Sequence, residues 1–240
     1  MDPILEFKDV CIEPRPPYDT GLEGASFAIA PGELLLVEVE KGHGRNPLAD
    51  AVEGLVDPDR GAVFFRGREW AAMTAGESAE NRGRIGRVFE SGGWLSNLNI
   101  DENATLSQRH HTVRPVEEIG AEAEGLARAF GLSELPKIRP AVAKRPERRA
   151  AEWVRAFIGE PSLIILEHPM SEAYNASFPA LAAAAAAATR RGAGVLWLTY
   201  DPLPPEAGFS PPPAGRTPAR VAKLVGNRLN FLVDGMWVRM

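Results

Sequence analysis

Three short runs constrain this chain more than any other feature: Leu34-Leu35-Leu36-Val37, Leu163-Ile164-Ile165-Leu166 and Val195-Leu196-Trp197-Leu198. A strand covered on one face alternates apolar with polar residues. A run apolar throughout, bounded by turn residues, is a strand buried on both faces. Between these runs lie segments with helical spacing. Residues 115–130 place Ile119, Ala123, Leu126, Ala127 and Phe130 on one face. Residues 47–56, 148–158 and 178–190 also read as helices, and so does 220–226. Further strands are expected at 4–12, 25–29, 62–65, 87–90 and 229–233, the last with Asp234-Gly235 as a hairpin turn. The Pro- and Gly-rich stretch 202–218 reads as a surface loop. Strands alternating with helices predict an α/β fold with a largely parallel sheet. Residues 1–240 are expected to form one domain, with a helical subdomain at about 104–158.

Composition narrows the function. A net charge of -5 gives no support to a nucleic-acid binder, which would usually show a strong basic excess. The lone Cys11 cannot form an internal disulfide. The start, MDPILEFKDV, has no signal-like apolar run, and the Ala-rich run at 181–188 is too short to span a bilayer. The expectation is a cytoplasmic protein that meets a membrane, if at all, at its surface. His110-His111 lack the further ligands a metal site needs and read as exposed loop residues. Lys137, Arg139, Lys144, Arg145, Arg148 and Arg149 form a basic stretch, read as a solvated helix face or a surface for acidic lipid.

In parallel α/β folds, ligands bind in loops at the carboxyl ends of strands. The first such loop, residues 39–48, reads V-E-K-G-H-G-R-N-P-L. It resembles the P-loop G-x-x-x-x-G-K-S/T, whose amides surround phosphates, whose lysine reaches them and whose hydroxyl holds Mg²⁺. Gly42 and Gly44 remain. Val39 replaces the first glycine, Arg45 the lysine and Asn46 the hydroxyl residue, and Pro47 removes one N–H donor.

The rest of the chain follows the same order as ABC-transporter nucleotide-binding subunits and resembles that family. D-P-D-R-G-A-V at 57–63 is similar to its P-x-x-G-x-V/I strand entry, and Val88-Phe89-Glu90 to its Q-loop strand. Residues 143–147, A-K-R-P-E, stand at the LSGGQ signature, and Arg155-Ala156-Phe157 close the helix after it. L-I-I-L-E-H-P at 163–169 resembles Walker B, residues 171–174 fall at the D-loop, and V-L-W-L-T-Y-D at 195–201 resembles the H-loop strand. Residues 228–234 resemble the closing strand. The resemblance implies a P-loop NTPase-like sheet, mostly parallel and flanked by helices, with an antiparallel β edge.

It also implies site positions, and most carry the wrong chemistry. Glu167 stands at the Mg²⁺-associated aspartate, His168 at the catalytic glutamate, Tyr200 at the switch histidine, Tyr174 at the D-loop acid and Glu90 at the Q-loop glutamine. Gly42, Gly44, Arg45, Asn46 and Glu90 are what remains for nucleotide and Mg²⁺. ATP and Mg²⁺ binding are therefore expected to be weakened, with no cofactor required. Tyr18 lies near the place of the family's base-stacking aromatic, and Trp94-Leu95 lie where the family receives a membrane subunit. The segment 90–103 looks most like ATPases of MCE-type lipid-trafficking systems. The implied partners are a transmembrane permease and a second cassette, identical or competent. The expected function is a non-hydrolysing subunit peripheral to the inner face of the membrane. Two alternatives stand beside it: a slow ATPase using Arg45, Glu167 and His168, and a soluble regulatory pseudo-ATPase.

Overall fold

The computed structural model describes residues 2–170, 178–200, 219–233 and 236–239. The D-loop positions 171–174 with Tyr174, the loop 202–218, Asp201 and the Asp234-Gly235 turn lie outside them.

A seven-stranded sheet carries the fold. Its parallel core is β3 (Leu34–Val39), β6 (Ile85–Val88), β7 (Leu163–Glu167), β8 (Gly194–Thr199) and β9 (Ala219–Val225). Antiparallel β10 (Arg228–Val233) and β11 (Met236–Arg239) extend one edge, giving the order β11-β10-β9-β3-β8-β7-β6. A second, antiparallel sheet is built from β1 (Leu5–Ile12), β2 (Leu22–Ile29), β4 (Arg60–Phe65) and β5 (Arg68–Glu69).

The continuous apolar runs have a simple cause. Side chains alternate across a strand. Leu35, Val37, Ile165, Leu196 and Leu198 pack into one core with the antiparallel sheet. Leu34, Leu36, Ile164, Leu166, Val195 and Trp197 pack into a second core under the helices. Both faces are covered, so neither tolerates polar residues.

The helices are α1 (Leu48–Val52), α2 (Ala75–Arg82), α3 (Ile100–His111), α4 (Val116–Ala129), α5 (Arg145–Phe157) and α6 (Phe178–Arg190). Phe130, just past α4, packs edge-on against Trp153 of α5 at 5.5 Å between ring centroids. Gly86 of β6 lies so close to α5 that an added Cβ would stand 1.8 Å from the Ala156 carbonyl oxygen.

Several expectations are corrected. The expected helix at 220–226 is strand instead: residues 220–225 lie in β9 and Gly226 in the turn after it, Ala222 and Leu224 are buried while Lys223 is exposed, and β3 and β10 hydrogen-bond to either side. Pairing partners distant in sequence override local helical spacing there. The helix expected at 47–56 ends at Val52, with Gly54 in the left-handed region at φ 61. Strand β6 is Ile85–Val88, so Phe89 and Glu90 lie beyond it. His110 and His111 end helix α3 and do not lie in a loop. Helices α2 and α3 were not expected, although Thr74–Glu77 and Asn99–Glu102 are spaced as capping pairs. Glu77 Oε2 accepts from the Thr74 N–H at 2.9 Å, and Glu102 Oε2 from the Asn99 N–H at 2.6 Å.

Candidate functional site

The loop between β3 and α1 is held from within. Its His43 is buried, with Nδ1 3.0 Å from Thr20 Oγ1 and Nε2 bonded to the Gly226 carbonyl. The Arg45 N–H donates to Asp19 Oδ2 at 2.8 Å, and the Asp19 N–H returns a bond to the Arg45 carbonyl at 2.9 Å. Gly44, at φ 73, makes this possible, since a Cβ there would lie 2.6 Å from Asp19 Oδ2. Gly42 has φ 82 and open space around its missing Cβ. Asn46 Oδ1 accepts from the Leu48 N–H at 3.1 Å, closing a local turn at the entry to α1.

The Arg45 guanidinium donates to Asp50 Oδ2 at 3.1 Å and lies over the Tyr18 ring at 5.3 Å. The Tyr18 hydroxyl donates to the same Asp50 oxygen at 2.8 Å. Burial and this bond push the Tyr18 phenol up to about 12. Its hydroxyl is thus committed to Asp50, and its ring to a cation.

Beneath the loop, Arg87 of β6 meets three carboxylates. Its guanidinium stands 2.8 Å from Asp50 Oδ1 and 2.6 Å from Glu167 Oε1, and bonds Glu53 Oε2. Burial opposes the charge of Arg87, but Glu53, Glu167 and Asp50 outweigh it and raise its pKa. Burial raises the Glu53 and Glu167 carboxyls despite Arg87. Burial also pushes Asp50 upward, yet Arg87, Tyr18 and Arg45 together hold it below its ordinary value. The two sides agree physically: one cation shared among three acids stays charged but cannot offset the desolvation of each.

His168 follows β7 in the left-handed region, at φ 43. It is buried and stacks on Tyr200, with ring centroids 3.6 Å apart and 7° between planes. The Tyr200 hydroxyl donates to Glu90 Oε1 at 2.6 Å. Among the described residues, His168 Nδ1 has no hydrogen-bond partner. Burial depresses the imidazole to about 4, so it is neutral at pH 7.

This gives an acid-stability prediction. The unfolded histidine takes up a proton as pH falls through about 6.5, whereas the folded one waits until about 4. The folding contribution is therefore full above pH 6.5 and is lost as pH falls from there to 4. His168→Phe keeps a ring on Tyr200 and removes the titration. Its stability should fall less between pH 7.5 and pH 5 than that of the wild type, by about 2 kcal/mol in urea unfolding. Equal pH slopes would contradict a buried neutral imidazole.

The signature positions lie at the start of α5. Arg145, Pro146 and Glu147 are helical, and Glu147 Oε2 accepts from the Lys144 N–H at 3.1 Å. Arg149 is not on a solvated face as expected: it is buried and pairs with Glu152 at 2.7 Å. Glu152 also accepts from Trp94 Nε1 at 3.0 Å. A cavity of about 340 Å³ lies between this helix and residues 90–94.

The groups expected to face Mg²⁺ and phosphate are thus engaged within the chain. Asn46 accepts from the Leu48 amide, Glu167 binds Arg87, Arg45 binds Asp50, and the Arg45 amide binds Asp19. This donor set does not fit a bound Mg²⁺. Sequence reading missed Arg87, Asp50, Glu53 and Asp19. The one signal for Arg87 was a charged residue beside apolar Val88 in a strand.

A strand–glycine loop–helix unit on a parallel sheet, with an antiparallel sheet packed on one face and helices on the other, defines an ATP-binding-cassette fold. The family profile described as ABC transporter matches residues 22–171. The chain belongs to the ABC transporter family. Similar proteins include the methionine import ATP-binding protein MetN of Brucella abortus, 30% identical over 171 residues, 70% of this chain and 45% of that protein. Another is the intermembrane phospholipid transport system ATP-binding protein MlaF of Escherichia coli, 26% identical over 147 residues, 61% of this chain and 55% of that protein. The chain spans about half the length of the curated relatives it matches. Among solved structures, an ATP-binding subunit of an ABC transporter superposes with a TM-score of 0.75 at 22% identity, covering 94% of this chain and 88% of that one. A cassette dimer bound to ADP and Pi gives 0.77 at 17% identity, covering 95% and 99%. Among the described residues, no helix is long and apolar enough to cross a membrane.

Proposed function

We propose that this chain is an ABC cassette subunit that serves a transmembrane permease without hydrolysing ATP, paired with itself or with a competent cassette. The carrying observation is His168. Hydrolysis needs a carboxylate to orient or activate water. The position where the family places it holds a buried, neutral imidazole stacked on Tyr200. A slow ATPase built on Arg45, Glu167 and His168 is disfavoured, because Arg45 and Glu167 are tied to Asp50 and Arg87.

In this reading residues 104–158 form the helical subdomain, and the chain sits peripherally at the inner face of the membrane. The permease would dock a cytoplasmic helix in the groove of about 490 Å³ between Phe89, Gly93 and Leu95 and the α3 residues Leu106 and His110. Leu95 and Leu106 are exposed apolar side chains there, 48% and 39% accessible. MlaF is named for phospholipid transport, and its similarity supports a lipid or other hydrophobic cargo of the MCE-type systems.

The test is phosphate release from Mg-ATP by the purified chain. Wild type should release no more than His168→Ala. A rate that disappears in both His168→Ala and Arg45→Ala would sink the proposal in favour of slow turnover.

A further inference from the structure

Residues 135–146, the loop that leads into α5, carry Lys137, Arg139, Lys144 and Arg145 and no acid, on a chain of net charge -5. All four cations are exposed. So are Ile138 and Val142, set between them and 42% and 71% accessible. Arg139 has an acid at 3.7 Å, Glu102. Neither Lys137 nor Lys144 pairs with an acid among the described residues. We propose that this loop is a contact for anionic membrane lipid, in which the cations meet headgroup phosphates and Ile138 and Val142 enter the headgroup layer.

The backbone of the loop is pinned, so its exposed side chains are presented rather than loose. The Ile100 and Asp101 amides donate to the Ile138 and Pro136 carbonyls at 3.0 and 3.3 Å. The Val142 amide closes a turn on the Arg139 carbonyl at 3.1 Å. Pro140 and Ala143 are buried, and the Arg148 guanidinium donates to their carbonyls at 2.9 and 3.3 Å. Arg148 pairs with no carboxylate among the described residues, so its charge adds to that of the loop. A surface held this way loses little freedom on binding. The choice of lipid over an acidic protein rests on Ile138 and Val142. Acidic side chains would satisfy the cations but leave two open aliphatic groups in water. A bilayer surface offers phosphate to the cations and an apolar boundary to the groups between them. The contact is with lipid itself and needs no permease, so it goes beyond the proposed function.

Co-sedimentation of the full chain with protein-free vesicles tests it. One set is phosphatidylcholine alone, the other equimolar phosphatidylcholine and phosphatidylglycerol. The chain should pellet with the anionic vesicles, stay in solution with phosphatidylcholine, and be released at about 0.5 M NaCl. Lys137→Ala combined with Lys144→Ala should weaken binding roughly 25-fold, about fivefold for each cation removed. Val142→Ser should weaken it several-fold without changing the charge. These side chains are exposed, so the variants should fold, and circular dichroism checks that they do. No pelleting with anionic vesicles overturns the proposal, as does equal pelleting with both sets or a double variant that binds like the wild type. Soluble polyglutamate is the control for an acidic protein: if it binds the wild type more tightly than the vesicles do, and Val142→Ser changes neither, the partner is an acidic protein and the lipid contact falls.

Discussion

Arg87→Leu should lower the unfolding free energy by about 3–5 kcal/mol at pH 7.5, the range for removing one partner of a buried ion pair. Leucine fills part of the space but leaves Asp50, Glu53 and Glu167 facing one another without their shared cation. Arg45 still reaches Asp50, at 3.1 Å, but neither Glu53 nor Glu167 has a comparable substitute among the contacts described. The loss should shrink as pH falls. Glu53 and Glu167 already sit above the ordinary carboxylate value because of burial, and removing Arg87 raises them further. A carboxyl whose folded pKa is raised contributes stability below its unfolded pKa and loses it as pH rises through the folded one. Urea unfolding at several pH values reads both the size and the slope. A loss under about 1 kcal/mol, or one independent of pH, would mean that Arg87 does not compensate these acids.

Gly86→Ala should cost about 3 kcal/mol, the upper end for overpacking a filled interior. The added methyl would stand 1.8 Å from the Ala156 carbonyl oxygen and 3.1 Å from Pro161 Cγ. A backbone carbonyl and a proline ring leave no rotamer change that relieves the clash. Strand β6, at the sheet edge, must move away from α5, which disturbs its pairing with β7 through Gly86 and Ile164. Arg87 is the next residue, so its cluster should loosen with the strand. Denaturant unfolding followed by tryptophan fluorescence measures the loss, with Trp153 of α5 buried in the folded chain. A variant as stable as the wild type would show that β6 and α5 have room to separate.

The two cores were legible because each four-residue apolar run is read the same way by any fold that covers both faces of a strand. Leu163, Ile164, Ile165 and Leu166 are all fully buried, as such a run requires. Arg45, Glu90, Glu167, His168 and Tyr200 were nominated as expected site positions from motif order, which needs no coordinates. Their partners were not. Glu167 lies 80 residues from Arg87, and Glu90 lies 110 from Tyr200. Strand β9 was misread for a related reason: Ala222 and Leu224 are inward only because β3 and β10 flank them.

Sequence by itself determined the alternation of strands and helices and the buried parallel sheet, since these depend on residue type and local order. Only the tertiary structure decided that Arg87 gathers three acids, that Asp19 takes the Arg45 amide and that His168 stacks on Tyr200. Those contacts join segments brought together by sheet pairing and helix packing, and a charge has no fixed role until folding sets its burial and its neighbours.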